Sequence, residues 1–220
     1  MTGSDLDLAL NMGYFRMQQQ VFTCHFLRFD ETIHTAHWLR IVLDRVAYGK
    51  SQQRLFSLNK AFQVTTRPFL LTDELKTLYA TYRQSIIFDA PGSIEDCLFG
   101  DEIGNQFETW VIEVRDDVRL IAAGIFDNGN ESIAGIMNFY DPAYRRHSLG
   151  RYLMLLKINY ARQAHKTYYY PGYVVSNYPK FDYKIAAAES ATDLYDAAHD
   201  DWLPFSWERL NTISAAMMGA

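Results

Sequence analysis

Phe139-Tyr140-Asp141-Pro142, then Arg145-Arg146-His147-Ser148-Leu149-Gly150, and after a long amphipathic run Tyr168-Tyr169-Tyr170-Pro171-Gly172-Tyr173: this stretch decides how the chain folds. Leu149, Tyr152, Leu153, Leu156 and Tyr160 recur at helical spacing, which predicts a helix opened by Ser148 and closed near His165. Upstream, residues 107–114, 120–126 and 132–140 read as strands, and Asp127-Asn128-Gly129-Asn130 supplies a hairpin turn because Asn and Gly tolerate positive φ. Downstream, residues 167–175 read as a strand parallel to the last of these. A meander passing through a turn into a helix and back to a parallel strand is an α/β fold, of mixed α+β character.

The helix start is a natural anion site. Free backbone N–H groups and the positive end of the helix dipole point at the spot where Arg145 and Arg146 stand. Ser148 reads as a cap rather than a nucleophile, since no His-Asp pair stands beside it. His147 is a general-base candidate by adjacency alone.

Toward the N-terminus, Asp5 is expected to cap a short helix that turns Leu6 and Leu10 inward and breaks at Gly13. Residues 14–29 read as extended, 38–43 as a strand, 51–58 as a helix capped by Ser51, and 62–66 as a strand. Thr72 followed by Asp73 and Glu74 opens a helix with Leu75, Leu78, Tyr79 and Tyr82 on one face, ending before Asp89-Ala90-Pro91-Gly92. A boundary near residues 69–72 divides an N-terminal lobe, 1–70, from a C-terminal domain, 71–220.

At 220 residues the chain can bury a substantial core, and its 49% hydrophobic and 21% charged content is that of a globular protein. The 15 tyrosines bring apolar area with a hydroxyl that needs a partner, which suits a dense core or a cleft that reads polar groups. A net charge of -5 argues against nucleic-acid binding by bulk electrostatics, although residues 145–166 form a local basic segment. Two cysteines, Cys24 and Cys97, and a start with no basic and apolar leader predict a reducing cytoplasm. No apolar run approaches the roughly 20 residues that span a bilayer, so no membrane partner is expected.

Taken in order, these motifs resemble the aminoacyl-tRNA-protein transferases of the N-degron pathway, the arginyltransferases and their bacterial leucyltransferase relatives. The resemblance rests on Phe139 to Pro142, Arg146 to Gly150 with His147 inserted, Tyr170 to Tyr173, and Pro179-Lys180-Phe181-Asp182-Tyr183-Lys184. It extends to Gly13-Tyr14-Phe15-Arg16, Leu39-Arg40-Ile41 and Lys50-Ser51-Gln52-Gln53-Arg54. It implies a GNAT-like acyltransferase fold in the C-terminal lobe. The reaction implied is attack by a protein's α-amine on the ester of an aminoacyl-tRNA, with the charged tRNA as co-substrate and no cofactor. Departures stand at Gln53 in place of Arg, Val174 in place of Trp, and Ile185-Ala186-Ala187 in place of an aromatic and basic ending.

By the same resemblance, Arg145, Arg146 and the N–H groups from Ser148 to Gly150 contact tRNA phosphates or the ester, and Arg54 belongs with them. Tyr170 and Tyr173, beside Gly172, shape the acyl pocket. Lys180, Tyr183 and Lys184 hold the acidic first residue of the acceptor or the terminal adenosine. The family's cysteine cluster is missing: only Cys24 remains, with His25, His34 and His37 nearby, and no metal site is expected from two histidines on an exposed loop beside a buried cysteine. Two other readings fit the same motifs: an acyl-CoA-dependent N-acyltransferase, and a noncatalytic module that recognises acidic N-termini.

Overall fold

The computed structural model describes residues 1–29, 31–88 and 90–219. The expected turn at Asp89 therefore lies partly outside the described residues.

A capping box opens α1 (Gly3–Asn11): Thr2 accepts from the Asp5 N–H, and the Asp5 carboxylate accepts from the Thr2 N–H. The cap is thus Thr2, and Asp5 is its reciprocal partner. Short strands β1 (Phe15–Met17) and β2 (Gln20–Phe22) form a hairpin, and β3 (Phe26–Phe29) pairs with the long β4 (Thr32–Val42). Helix α2 (Lys50–Asn59) starts one residue before the expected Ser51, with Gly49 in the cap position, and β5 (Gln63–Pro68) follows. Thr72 caps α3 (Asp73–Ser85) by accepting from Leu75 N–H at 3.3 Å, as the sequence indicates. Helix α4 (Ile94–Leu98) precedes the meander β6 (Thr109–Asp116), β7 (Arg119–Asn128) and β8 (Ser132–Tyr140).

The hairpin turn lies two residues later than expected. Asp127 belongs to β7 and is buried, because its carboxylate is needed inside the protein by Arg16. Helix α5 (Leu149–Gln163) leads to β9 (Tyr168–Val175), which runs parallel to β8 as predicted. After a stretch of 3-10 helix (Pro179–Ala187) come β10 (Thr192–Asp196), β11 (Asp201–Pro204) and α6 (Trp207–Gly219).

Among the described residues, nine strands form one sheet in the order β11-β10-β4-β9-β8-β7-β6-β5, with β3 attached to β4. Strands from both sides of residue 70 interleave, so the sheet is continuous across the boundary expected there. Helix α5 buries Leu149, Tyr152, Leu153, Met154, Leu155 and Ile158 against one face, and α3 buries Leu75, Leu78 and Tyr79 against Val111, Leu120, Ala123, Ile125 and Phe139. No helix among the described residues is long and apolar enough to cross a membrane.

Ser148 holds the cap position of α5 in the left-handed region, φ 50° and ψ 45°, and makes no side-chain cap bond. The capping role read from the sequence is therefore absent there. Thr72→Ala is expected to cost about 1 kcal/mol of unfolding free energy, whereas Ser148→Gly should gain up to about 1 kcal/mol by relieving the positive φ. Urea denaturation of the two variants checks both signs.

Candidate functional site

β8 and β9 pair over only Ser132↔Tyr168, Ile133↔Tyr169 and Ala134↔Tyr170, and then they separate. Pro171 brings no N–H to a ladder, and Gly172 takes φ +97°, where a side chain would be strained. β9 follows β4 instead, through a register shift opposite Leu39 and Ile41. The opening between the strands is a cavity of about 620 Å³. Its walls are Gly135 to Asn138 of β8 and Tyr169, Pro171, Gly172 and Tyr173 of β9; Met154 and Lys157 of α5 line it, as do Phe15, Arg16, Phe22 and Trp38. Pro91, Asp96 and Cys97 contribute from the α4 side, and Tyr183 and Lys184 from the 3-10 segment.

Arg16 fixes one side of this cavity. Its guanidinium donates to Asp127 at 2.8 Å, Thr109 Oγ1 at 2.9 Å, the Leu98 carbonyl at 2.7 Å and Asn105 Oδ1 at 3.1 Å, while Nε donates to the Gln18 carbonyl. Every N–H of the side chain is thereby used. The group is buried and stacks 4.3 Å from the Phe107 ring centroid, so it ties β1, α4 and β7 together.

Two amines reach the cavity. Lys184 Nζ donates to the Tyr173 carbonyl at 2.9 Å and lies 4.8 Å from the Tyr173 ring and 5.0 Å from that of Phe181. Lys157 Nζ donates to Ile125 O at 2.8 Å, Asn138 Oδ1 at 2.9 Å and Met137 O at 3.3 Å. Burial lowers the pKa of each amine to about 7. Burial raises the pKa of the Tyr169, Tyr173 and Tyr183 hydroxyls, which are neutral donors at pH 7. Burial also lifts the Cys97 thiol to about 11, which removes it as a nucleophile.

Of the expected site residues, the structure brings Gly172, Tyr173, Tyr183 and Lys184 to the cavity. Lys180 Nζ lies 3.5 Å from the Phe88 ring centroid. Tyr170 does not line the cavity: side chains alternate along a strand, so it faces away from Tyr169 and packs edge-on against Phe15 and Trp202. His147 does not line it either; its Nδ1 contacts Asn59 Oδ1 at 3.2 Å and its ring lies 4.9 Å from that of Phe62.

Arg145, Arg146 and Ser148 are exposed and Gly150 half-buried at the start of α5, with Arg54 exposed on the adjacent α2. Lys157 stands nine positions beyond Ser148, roughly 14 Å along the helix axis. A narrow cleft lined by Ser51, Gln52, Arg151 and Tyr183 lies between α2, α5 and the 3-10 segment, and Tyr183 borders both it and the main cavity.

His34 and His37 lie on β4, not on an exposed loop. His34 Nδ1 contacts the Ser176 carbonyl at 2.9 Å. Buried His37 contacts Thr35 Oγ1 at 2.9 Å and Ser214 Oγ at 2.8 Å, and burial lowers its pKa to about 4. Among the described residues, no three His, Cys, Asp or Glu side chains are gathered as a metal site.

Sequence reasoning passed over Lys157, Asn138 and Tyr169. Lys157 was legible: it falls four residues after Leu153 on the buried stripe of the helix, where a charged residue calls for an explanation.

Known proteins resemble this chain in sequence and in fold. An aspartate/glutamate leucyltransferase from Shewanella oneidensis is 31% identical over 155 residues, covering 66% of this chain and 62% of that protein. One from Stutzerimonas stutzeri is 28% identical over 185 residues, 79% of this chain and 73% of that protein. The fold resembles the C-terminal domain of a protein described as a lysylphosphatidylglycerol synthetase from Agrobacterium fabrum, with a TM-score of 0.51 at 11% identity over 78% of this chain and 52% of that one. Residues 74–191, more than half of the 220, match the family described as "Arginine-tRNA-protein transferase, C terminus", and the chain belongs to that family.

Proposed function

We propose that the protein transfers leucine from leucyl-tRNA to the α-amine of proteins whose first residue is Asp or Glu. The observation that carries this reading is the cavity between β8 and β9. Its lining is largely apolar, with Phe15, Phe22, Trp38, Ile136, Met137 and Met154, and it holds the amines of Lys157 and Lys184 beside the guanidinium of Arg16. Among the described residues, Asp96 is the sole carboxylate in the lining. A leucyl side chain meets apolar surface there, whereas a cationic arginyl side chain would leave water for a lining with few carboxylates to pair with it. The relatives named above, aspartate/glutamate leucyltransferases, support the same donor and acceptor.

Lys184 spends one N–H on the Tyr173 carbonyl and offers the rest of its donors to an acidic acceptor side chain; the Lys180 amine lies 5.5 Å from the same Phe181 ring that Lys184 approaches. Arg145, Arg146 and Arg54 face the phosphates of the tRNA end, and the terminal adenosine passes Arg151 and Tyr183 toward the cavity. The acceptor α-amine has an ordinary pKa of about 7.7 to 8, so a useful fraction is neutral without a strong base. Direct attack by that amine agrees with a cavity whose thiol is protonated. Positioning and stabilisation of the oxyanion then carry the rate.

The test is transfer of labelled amino acids from a charged total tRNA pool to peptides beginning with Asp, Glu, Lys or Ala. Leucine should pass to the acidic peptides alone, and Arg146→Ala should reduce the rate at least tenfold, mainly through KM for tRNA. Arginine as the preferred donor would overturn the electrostatic argument. Transfer from acyl-CoA with none from tRNA would overturn the reading as a whole.

A further inference from the structure

In the function proposed above, Lys157, the best-connected amine in the cavity, enters only as part of the lining. Lys157 is 1% exposed, and all three of its N–H bonds are taken: by Ile125 O of β7, by Met137 O of β8 and by the Asn138 side chain. The β7–β8 ladder changes register at this place, since Ile125 is opposite Met137 while Phe126 is opposite Gly135, which leaves Ile136 as an extra residue on β8. The ammonium therefore ties the two strands together at the pair next to the bulge, through the Ile125 carbonyl of β7 and the Met137 carbonyl and Asn138 side chain of β8. Room for the lysine stem comes from Gly124: a methyl group there would lie 3.0 Å from Asn138 Oδ1 and 3.1 Å from Lys157 Cε. Residues Gly135 to Asn138, the bulged part of β8, are the cavity wall that has parted from β9.

We propose that Lys157 is a positioning residue, whose amine pins the β8 bulge and so holds the wall that receives the acyl group in its working shape. That the wall receives an acyl group rests on the function proposed above; the pinning itself does not. A wall of backbone groups aimed at a developing oxyanion acts through fixed geometry, and a small displacement is costly. Loss of the pin should thus lower kcat and leave substrate affinity nearly unchanged.

The test compares the parent protein with Lys157→Met and Gly124→Ala by amide hydrogen exchange and by steady-state leucyl transfer. In Lys157→Met, amides of residues 135–138 should exchange at least tenfold faster while those of β6 keep their rates. Its kcat should fall at least 30-fold with KM for tRNA and peptide within threefold. Gly124→Ala retains the amine, crowds its stem, and should show the same pattern at smaller size. Unchanged exchange at 135–138 in Lys157→Met, or a rise in KM at constant kcat, overturns the proposal. Should Lys157→Met fail to fold, unchanged exchange and kcat in Gly124→Ala overturn it. A parent protein that transfers no amino acid defeats the functional reading, while the exchange data still decide whether the amine pins the wall.

Discussion

Arg16→Leu is expected to destabilise the protein by about 3–5 kcal/mol, the range found when one partner of a buried ion pair is removed. Leucine fills part of the volume but leaves the Asp127 carboxylate, itself fully buried, without its charged partner. It also strips a donor from Thr109, Asn105 and the carbonyls of Leu98 and Gln18. Asp127 Oδ2 already lacks a hydrogen-bond partner, so the site has no slack to absorb the loss. The double variant Arg16→Leu with Asp127→Asn should be less destabilised than the sum of the single variants, because the uncompensated charge is gone. Urea unfolding of the three variants measures this; a loss below about 1 kcal/mol for Arg16→Leu would mean that the network does not fix this wall.

The second large effect is on pH dependence. Lys157 and Lys184 have an ordinary pKa of 10.5 in the unfolded chain and about 7 in the folded one. Between those limits the unfolded state binds more protons, so stability rises with pH from about 7 to 10.5. Below about 7 both states are protonated and the whole penalty of burying the cations is present. From pH 7 to pH 9 each lysine should add roughly 2 kcal/mol of unfolding free energy. A Lys157→Met, Lys184→Met double variant should lose that rise relative to the parent. Parallel pH profiles for the two proteins would show that the amines are not depressed by burial.

Much of the architecture was legible because local signals agreed with it. Thr72 followed by two acids gave the start of α3, and the spacing of Leu149, Tyr152, Leu153 and Leu156 gave α5 and the parallel return of β9. Errors arose where tertiary partners decide. Asp127 reads as a turn residue until Arg16, 111 residues away, is known to need it. No local signal marks β10 as a buried strand, because the partners that neutralise its Asp193, Arg40 and Arg45, are distant in sequence.

The site was half legible for a similar reason. In Tyr168-Tyr169-Tyr170 nothing local says which ring faces the cavity; the phase is set by pairing with β4, and it selects Tyr169 over Tyr170. Gly172 and Lys184 could be picked out by type, but their contact, with Lys184 Nζ close above the glycine, exists only after the 3-10 segment folds back.

The place of β4 in the sheet sets the timetable of assembly. Its residues 32–35 pair with the nearby β3, but residues 36–42 find their neighbours in β9, residues 168–175, and β10, residues 192–196. During synthesis Trp38, Leu39 and Ile41 must wait for more than 120 further residues to emerge before either of their edges is covered. Such long-range pairing slows folding and lengthens the interval in which an apolar strand edge is open to other chains. Nascent chains stalled before β9 should therefore be aggregation-prone and dependent on holding chaperones. Arrival of β9 and β10 beside β4 is the step that turns a sticky intermediate into a finished sheet.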